Sequence, residues 1–291
     1  MASLSLGGSL MELRVLEYFL AVAREESISG AAKALHLSQP TLSRQLKDLE
    51  YELGKPLMIR GTRKITLTEE GILLRKRATE ILALADRTVE DIKISSDSIA
   101  GDIYICTGES ECFRLIAKVA KSVNATYPDI HFHISSGDSI DVLEQLDNGT
   151  IDFGLVFSDY DHHKYNGIEI PSSQTWGVLM HPSSPLASKE NLTLKDLWDE
   201  PLIISRSHQQ LGIPVEHTNI VATYSLLYNA SLLVEEGLGY AICFDQIVNT
   251  TGNDHLIFVP FKDSEVAPAY IVWKKYQVFS KAANCFLNEL L

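Results

Sequence analysis

Apolar residues in the first third of the chain recur at helical spacing, in short bursts separated by polar bends. Leu13, Leu16, Phe19, Leu20 and Ala23 step by threes and fours, which predicts an amphipathic helix over about 13–25. Ala31, Ala32, Ala34 and Leu35 make a small, closely packing second surface, with Ser27 or Ser29 as its cap. A third helix opens at Ser38, carries Pro40 in its first turn, where no backbone donor is missed, and closes at Gly54. Its buried stripe is Leu42, Leu46, Leu49 and Leu53. Residues 57–60 and 64–68 then alternate as two short strands around Gly61 and Thr62. From about 68 to 95, Leu74, Ala78, Ile81, Ala85, Thr88 and Ile92 form a heptad seam on a helix of about seven turns. Three short helices have little surface to cover such a seam, so it reads as the contact with a second copy, ending in a polar hinge at residues 95–98.

Beyond Gly101 the pattern changes to strands alternating with helices. Strands are predicted at 103–107, 130–135 and 151–157, with helices at 111–127 and 140–146 between them, a βαβαβ unit with a parallel sheet. A similar series follows: strands near 175–181, 202–204, 220–223 and 240–244, a helix after Thr193 and another at 224–236. Residues 171–173 and 266–268 read as two crossings between lobes, and a tail helix at 278–290 returns to the first lobe. Two α/β lobes joined twice form a clamshell, whose ligand is expected at the strand C-termini.

Charge separates the two regions. The whole chain carries 25 Lys and Arg against 38 Asp and Glu, a formal net charge of −13. Through Ile94 the count is 14 basic against 13 acidic, so the excess of acid lies entirely beyond it. Any nucleic-acid contact is thereby confined to the N-terminal region. The third helix presents Gln39, Thr41, Ser43, Arg44 and Lys47 opposite its apolar stripe, side chains suited to base edges and phosphates. Arg60, Arg63 and Lys64 crowd the tip of the strand pair, a basic wing beside a reading helix.

The run AAKALHLSQPTLSRQLKDLEYELGKPLMIRGTRKITLTEEG, with its paired alanines, SQPxLSRQ, LExxLG and a closing LTxxG, resembles the DNA-binding signature of the LysR-type transcriptional regulators. Met58 departs from the family's usual Phe after the wing leucine, an apolar exchange of little consequence. The resemblance continues through GDIYICTGES, LDNGTIDFGLV, HPSSPLA and GLGYAICF, and covers nearly the whole chain. It implies an N-terminal winged helix-turn-helix over 11–67, a linker and dimerisation helix over 68–97, and a periplasmic-binding-protein-like effector domain over 98–291. Lobe I of that domain would take 98–171 and 267–291, and lobe II 172–266. Residues 1–10 are set aside as a leader, with Met11 as a plausible start. The implied DNA contacts are Ser38, Gln39, Pro40, Thr41, Ser43, Arg44, Lys47, Arg60, Arg63 and Lys64. The implied partners are double-stranded promoter DNA, a small-molecule effector, RNA polymerase and further copies of the chain as a homodimer or homotetramer.

Effector residues are sought where strands open into helices. Thr107, Gly108, Glu109 and Ser110 follow the first strand, and Ser136, Gly137, Asp138 and Ser139 the second; free amides and hydroxyls there suit an anion, or simply cap helices. Arg206 is expected to pair with that anion from the second lobe, Thr223 to open a helix on the cleft, and Trp176 to wall the pocket or to sit in the core. Glu109 and Asp138 argue in the other direction, for an amine.

Competing chemistry is scarce. Cys106, Cys112, Cys243 and Cys285 contain no CxxC and fit no zinc spacing, so they read as reduced, buried thiols. His131 and His133 share one face of a strand, but no nearby acid or third histidine completes a metal site; His162 and His163, in a polar loop with Asp159 and Asp161, are similarly weak. There is no GxSxG, P-loop or HExxH, so neither catalysis nor a cofactor is expected. No apolar run approaches 18 residues, and the first ten lack the features of a signal peptide, so a cytoplasmic protein without membrane contact is expected. The alternative is an α/β solute-binding or enzymatic domain behind an unrelated helical leader; a third is an interaction module with a vestigial cleft.

Overall fold

Serine caps set the first helices. α1 (Leu13–Glu25), α2 (Ile28–Ala34) and α3 (Gln39–Leu53) follow the apolar spacing. Ser27 Oγ accepts the Gly30 amide at 3.2 Å, and Ser38 Oγ accepts the Thr41 amide at 3.3 Å. Gly54 ends α3 at φ +66°, a left-handed turn in which a Cβ would be strained. Leu16, Phe19, Val22, Leu42 and Leu46 fill the space where the three helices meet. Ala34 and Leu53 were expected in that core and lie outside it, Leu53 being 41% exposed. Each is the last residue of its helix, past the contact with its neighbours.

β1 (Met58–Arg60) and β2 (Ile65–Leu67) pair antiparallel as the wing. Glu50 Oε1 on α3 accepts the Leu57 and Met58 amides at 2.8 and 3.3 Å, fixing where the wing departs. α4 (Glu69–Lys93) starts on Thr68, whose Oγ1 accepts the Gly71 amide at 3.0 Å and donates to the Pro56 carbonyl at 2.8 Å. A Cβ on Gly71 would stand 1.9 Å from the Leu57 carbonyl oxygen, so only glycine fits.

The computed structural model describes residues 11–61, 64–93, 99–207, 219–252, 254–262 and 266–291. The chain forms two units, Met1–Lys93 and Ile94–Leu291. In the second, β3 (Gly101–Thr107), α5 (Phe113–Thr126), β4 (Ile130–Ser136), α6 (Ser139–Asn148) and β5 (Phe153–Val156) form the βαβαβ unit, with β3 parallel to both β4 and β5. Two strands absent from the sequence expectation, β6 (Tyr165–Ile170) and β12 (Ala269–Lys274), complete the sheet antiparallel, in the order β4-β3-β5-β12-β6. The other sheet orders as β11-β7-β10-β8-β9. Its strands are β7 (Trp176–Met180), β8 (Pro201–Ser205), β9 (Asn219–Tyr224), β10 (Tyr240–Phe244) and the unexpected β11 (Ile257–Pro260).

The helix expected after Thr193 is one 3-10 turn, Leu194–Leu197; Trp198 turns extended and Asp199 takes φ +64°, which stops it. α7 is Leu227–Glu235, starting three residues later than expected because Tyr224 still belongs to β9. α8 (Lys281–Leu290) lies on the first sheet, with the Phe286 ring tilted 5.0 Å from Phe153 and edge-on to Phe132 at 5.9 Å. The chain passes between sheets at 171–175 and 261–268, and the two passages are tied: Ala267 donates its amide to the Gln174 carbonyl at 2.9 Å.

Candidate DNA-reading face and ligand cleft

Once its leucines are buried, α3 leaves a polar face outward. Gln39, Pro40, Thr41, Arg44 and Lys47 are exposed. Arg44 is among the freest, its side chain 85% exposed with Nε 4.0 Å from Asp48. Ser38 and Thr41 spend their hydroxyls on one another at 2.7 Å, so both also serve the cap. Ser43 is half-buried and accepts a bond from Arg60 Nη1 at 3.5 Å, which ties the wing to α3. Lys64 turns back to Glu26 at 3.3 Å, a half-neutralised position for a residue expected at the wing tip. Arg63 and the hinge at 95–98 lie outside the described residues.

The dimerisation seam on α4 divides. Leu74 and Ala78 belong to the core built around Phe19 and Leu46, so they are committed to their own unit; the expectation that they face a second copy is corrected. Around them α4 packs on α1. Farther along, Ile81 is 36%, Leu84 43% and Ile92 79% exposed, while Ala85 is half-buried and Thr88 exposed. With Leu73, 59% exposed, these form a largely apolar stripe on one side of α4 that the described residues of the first unit leave open.

In the second unit, the C-terminal ends of β3, β4 and β5 face those of β8, β9 and β10 across a cleft open to solvent. It lies where α/β sheets bind ligands. Gly108, Glu109, Asp138 and Ser139 line it as expected, and so does Trp176. Its unforeseen lining includes Phe157, Ser205, Tyr224, Ser225 and Phe244. Trp176 and Phe244 lie 4.0 Å apart, and Phe157 meets Phe244 edge-on at 5.2 Å. Tyr224 donates to the Ile242 carbonyl at 2.7 Å, and burial pushes its phenol up, so it acts here as a neutral group.

Five expected effector residues do not line the cavity. Thr107 is buried and donates to the Gly108 carbonyl at 2.7 Å. Ser110 donates to Gln174 and accepts the Cys112 amide at 2.9 Å, a bond network at the crossing. Ser136 and Thr223 are exposed on their strands, and the alternation that turns Thr223 outward brings Tyr224 in. Arg206 is clasped by Asp138 at 2.9 Å and Asp141 at 2.6 Å, which raises its pKa and takes up the charge intended for an anion.

The helix starts are likewise occupied. Asp138 Oδ1 accepts the Ile140 and Asp141 amides, both at 3.1 Å, in a capping box on α6. Glu109 reaches across the cleft and accepts the Leu227 amide at the start of α7, a helix whose own N-cap, Leu226, supplies no side-chain bond.

Histidines and thiols add little. An acid does lie beside His133: Asp102, register partner of His131, stands 2.9 Å from His133 and 4.0 Å from His131, which corrects the sequence reading. Even so, no group of three potential ligands able to hold a metal occurs among the described residues. Cys106, Cys112 and Cys243 are buried, and desolvation raises the pKa of Cys106 and Cys243. No helix among the described residues is long and apolar enough to cross a membrane.

Comparison with known proteins agrees with both halves. The family of bacterial regulatory helix-turn-helix proteins, lysR family, matches residues 13–72, and the LysR substrate binding domain matches residues 96–291. The HTH-type transcriptional regulator BsdA of Bacillus subtilis is 38% identical over 295 residues, spanning 96% of this chain and 99% of its own. The HTH-type transcriptional regulator YnfL of Escherichia coli is 27% identical over 301 residues, or 97% and 98% of the two chains. Among solved structures, CbnR, a LysR family transcriptional regulator, shares the fold at TM-score 0.70 and 21% identity, with 96% of this chain and 98% of that one covered. Full-length CbnR complexed with its target DNA superimposes at TM-score 0.69 and 22% identity, covering 96% and 99%. With a reading helix and wing in one unit, a two-sheet cleft in the other, and both family models matched, the chain belongs to the LysR family of DNA-binding transcriptional regulators.

Proposed function

We propose that α3 enters the major groove of promoter DNA while the wing braces the backbone, with Gln39, Pro40, Thr41, Ser43 and Arg44 nearest the bases. Ser38, Lys47, Arg60, Arg63 and Lys64 would hold the phosphates. The observation that carries this reading is the outward face of α3, whose polar residues are exposed while its leucines are enclosed, with Arg60 tying the wing to that same helix. Residues 11–67 serve as reader, 68–97 as the helix that pairs copies, and 98–291 as the ligand-sensing domain. The exposed stripe Leu73, Ile81, Leu84 and Ile92 is the pairing surface. In the sensing domain, Gly108, Glu109, Asp138 and Ser139 remain contact residues, joined by Trp176, Tyr224 and Phe244.

Ligand binding in the cleft changes the relation of the two sheets through the tied crossings, and so biases which DNA geometry the paired readers favour. This is control by binding, without a catalytic step. Cys106 and Cys243 are poor candidates for a thiol switch, because burial favours their protonated, weakly nucleophilic form.

Footprinting on promoter DNA from the source genome tests the reading. Arg44→Ala should weaken specific binding by about 1–3 kcal/mol if it holds a base edge in a two-pronged contact. An unchanged footprint with Arg44→Ala and with Gln39→Ala would remove α3 as the reading element.

A further inference from the structure

The cleft has used its own carboxylates where a ligand's carboxylate would go. Glu109 and Asp138 line the cavity, and among the described residues no lysine, arginine or histidine does. The nearby cation, Arg206, gives Nε to Asp138 and Nη2 to Asp141, leaving that trio with a net negative charge. Both helix N-termini facing the cavity are capped from within, α6 by Asp138 and α7 by Glu109. Residues 208–218, outside the described residues, contain no lysine or arginine, and two histidines, His208 and His217. An entering carboxylate or phosphate would therefore meet two like charges and, among the described lining residues, no unclaimed cation, in a half-enclosed site where water screens them poorly.

What remains is an aromatic wall with a polar rim. Phe244 stands between Trp176 and Phe157, in contact with each, and four serines and Tyr224 supply hydroxyls. Such a wall takes a flat apolar body, and its ring faces also attract cations. We propose that the effector is a planar, aromatic-bodied molecule bearing no anionic group: a neutral amide, alcohol or phenol, or an amine. This rests on the cleft being the effector site, as set out above.

Three probes of one shape test the charge class on the full chain: 2-naphthamide, 2-naphthylmethylamine and 2-naphthoate, followed by calorimetry and ligand-observed NMR. The amide or the amine should bind at least tenfold more tightly than the acid. Glu109→Gln should narrow that gap by improving the acid, and Trp176→Ala should weaken the amide by tenfold or more. Equal or tighter binding of naphthoate by the unsubstituted chain overturns the charge class alone. If no probe binds, or binding ignores both Trp176→Ala and Phe244→Leu, the cleft itself is not the effector site, and both readings fall.

Discussion

Single residues here often hold structure that a motif only hints at. Gly71 closes the LTxxG signature because the Leu57 carbonyl leaves no room for a Cβ at 1.9 Å. Gly71→Ala should cost about 1–3 kcal/mol of overpacking, read as a lowered thermal midpoint of the reader unit. Asp196 offers a pH test. Lys189 at 2.6 Å, with the Thr193 amide and hydroxyl, lowers its pKa to about 2 from 3.8. Its folded value lies below the unfolded one, so its contribution is fully present above about pH 4 and is lost as pH falls toward 2. Asp196→Asn should lower stability at neutral pH by about 0.5–2 kcal/mol, as lost caps do, and the deficit should vanish near pH 2 in denaturant titrations. At this scale the sequence was legible wherever partners are local: Ser27, Ser38 and Gly54 act as read. Arg206 was misread because Asp138 and Asp141, which claim it, lie more than sixty residues away.

Among elements, α4 separates two roles that its periodicity had merged. Leu74 and Ala78 hold the helix to its own core, while the flanking stripe is exposed. Leu84→Glu with Ile92→Glu should leave the reader's helicity intact and yield monomers in sedimentation; a persistent dimer would move the pairing surface elsewhere. Leu74→Glu should instead unfold the reader, since a buried unpaired charge costs several kcal/mol, about the stability of a small domain. The heptad arithmetic was sound, yet it could not tell which copy each side chain meets. The strands that went unread have comparable causes. β6, with Asn166, Gly167 and Glu169, lacks an alternating apolar face, and it exists because β12 pairs along its length. β12 is continuously apolar over Ala269–Val272, but only its neighbours β5 and β6 identify it as a strand.

At the level of the whole molecule, the charge imbalance constrains how tightly DNA can be held. The proposed phosphate contacts include four cations, Lys47, Arg60, Arg63 and Lys64, so two copies bring about eight. Counterion release then limits the slope of log affinity against log salt to about −7. Fluorescence anisotropy between low and moderate salt measures it directly; a clearly steeper slope would enlist basic residues outside α3 and the wing. The two-lobed sensing domain was legible from the alternation of strands and helices, and so was the place of its cleft. The aromatic wall was not, since Phe157 and Phe244 each sit past or at a strand end and meet only when the two sheets face one another.

The place of β12 has a consequence for how the protein is made. That strand sits between β5 and β6, so the first sheet stays open until the chain is finished through Lys274. The reader unit, by contrast, is complete at Lys93. Roughly 180 residues separate the two events, about 10–40 s of translation at ordinary bacterial rates. A ribosome therefore exposes a finished DNA-reading unit well before the domain that governs it can close, and a message cut short in that interval releases a reader with no sensor.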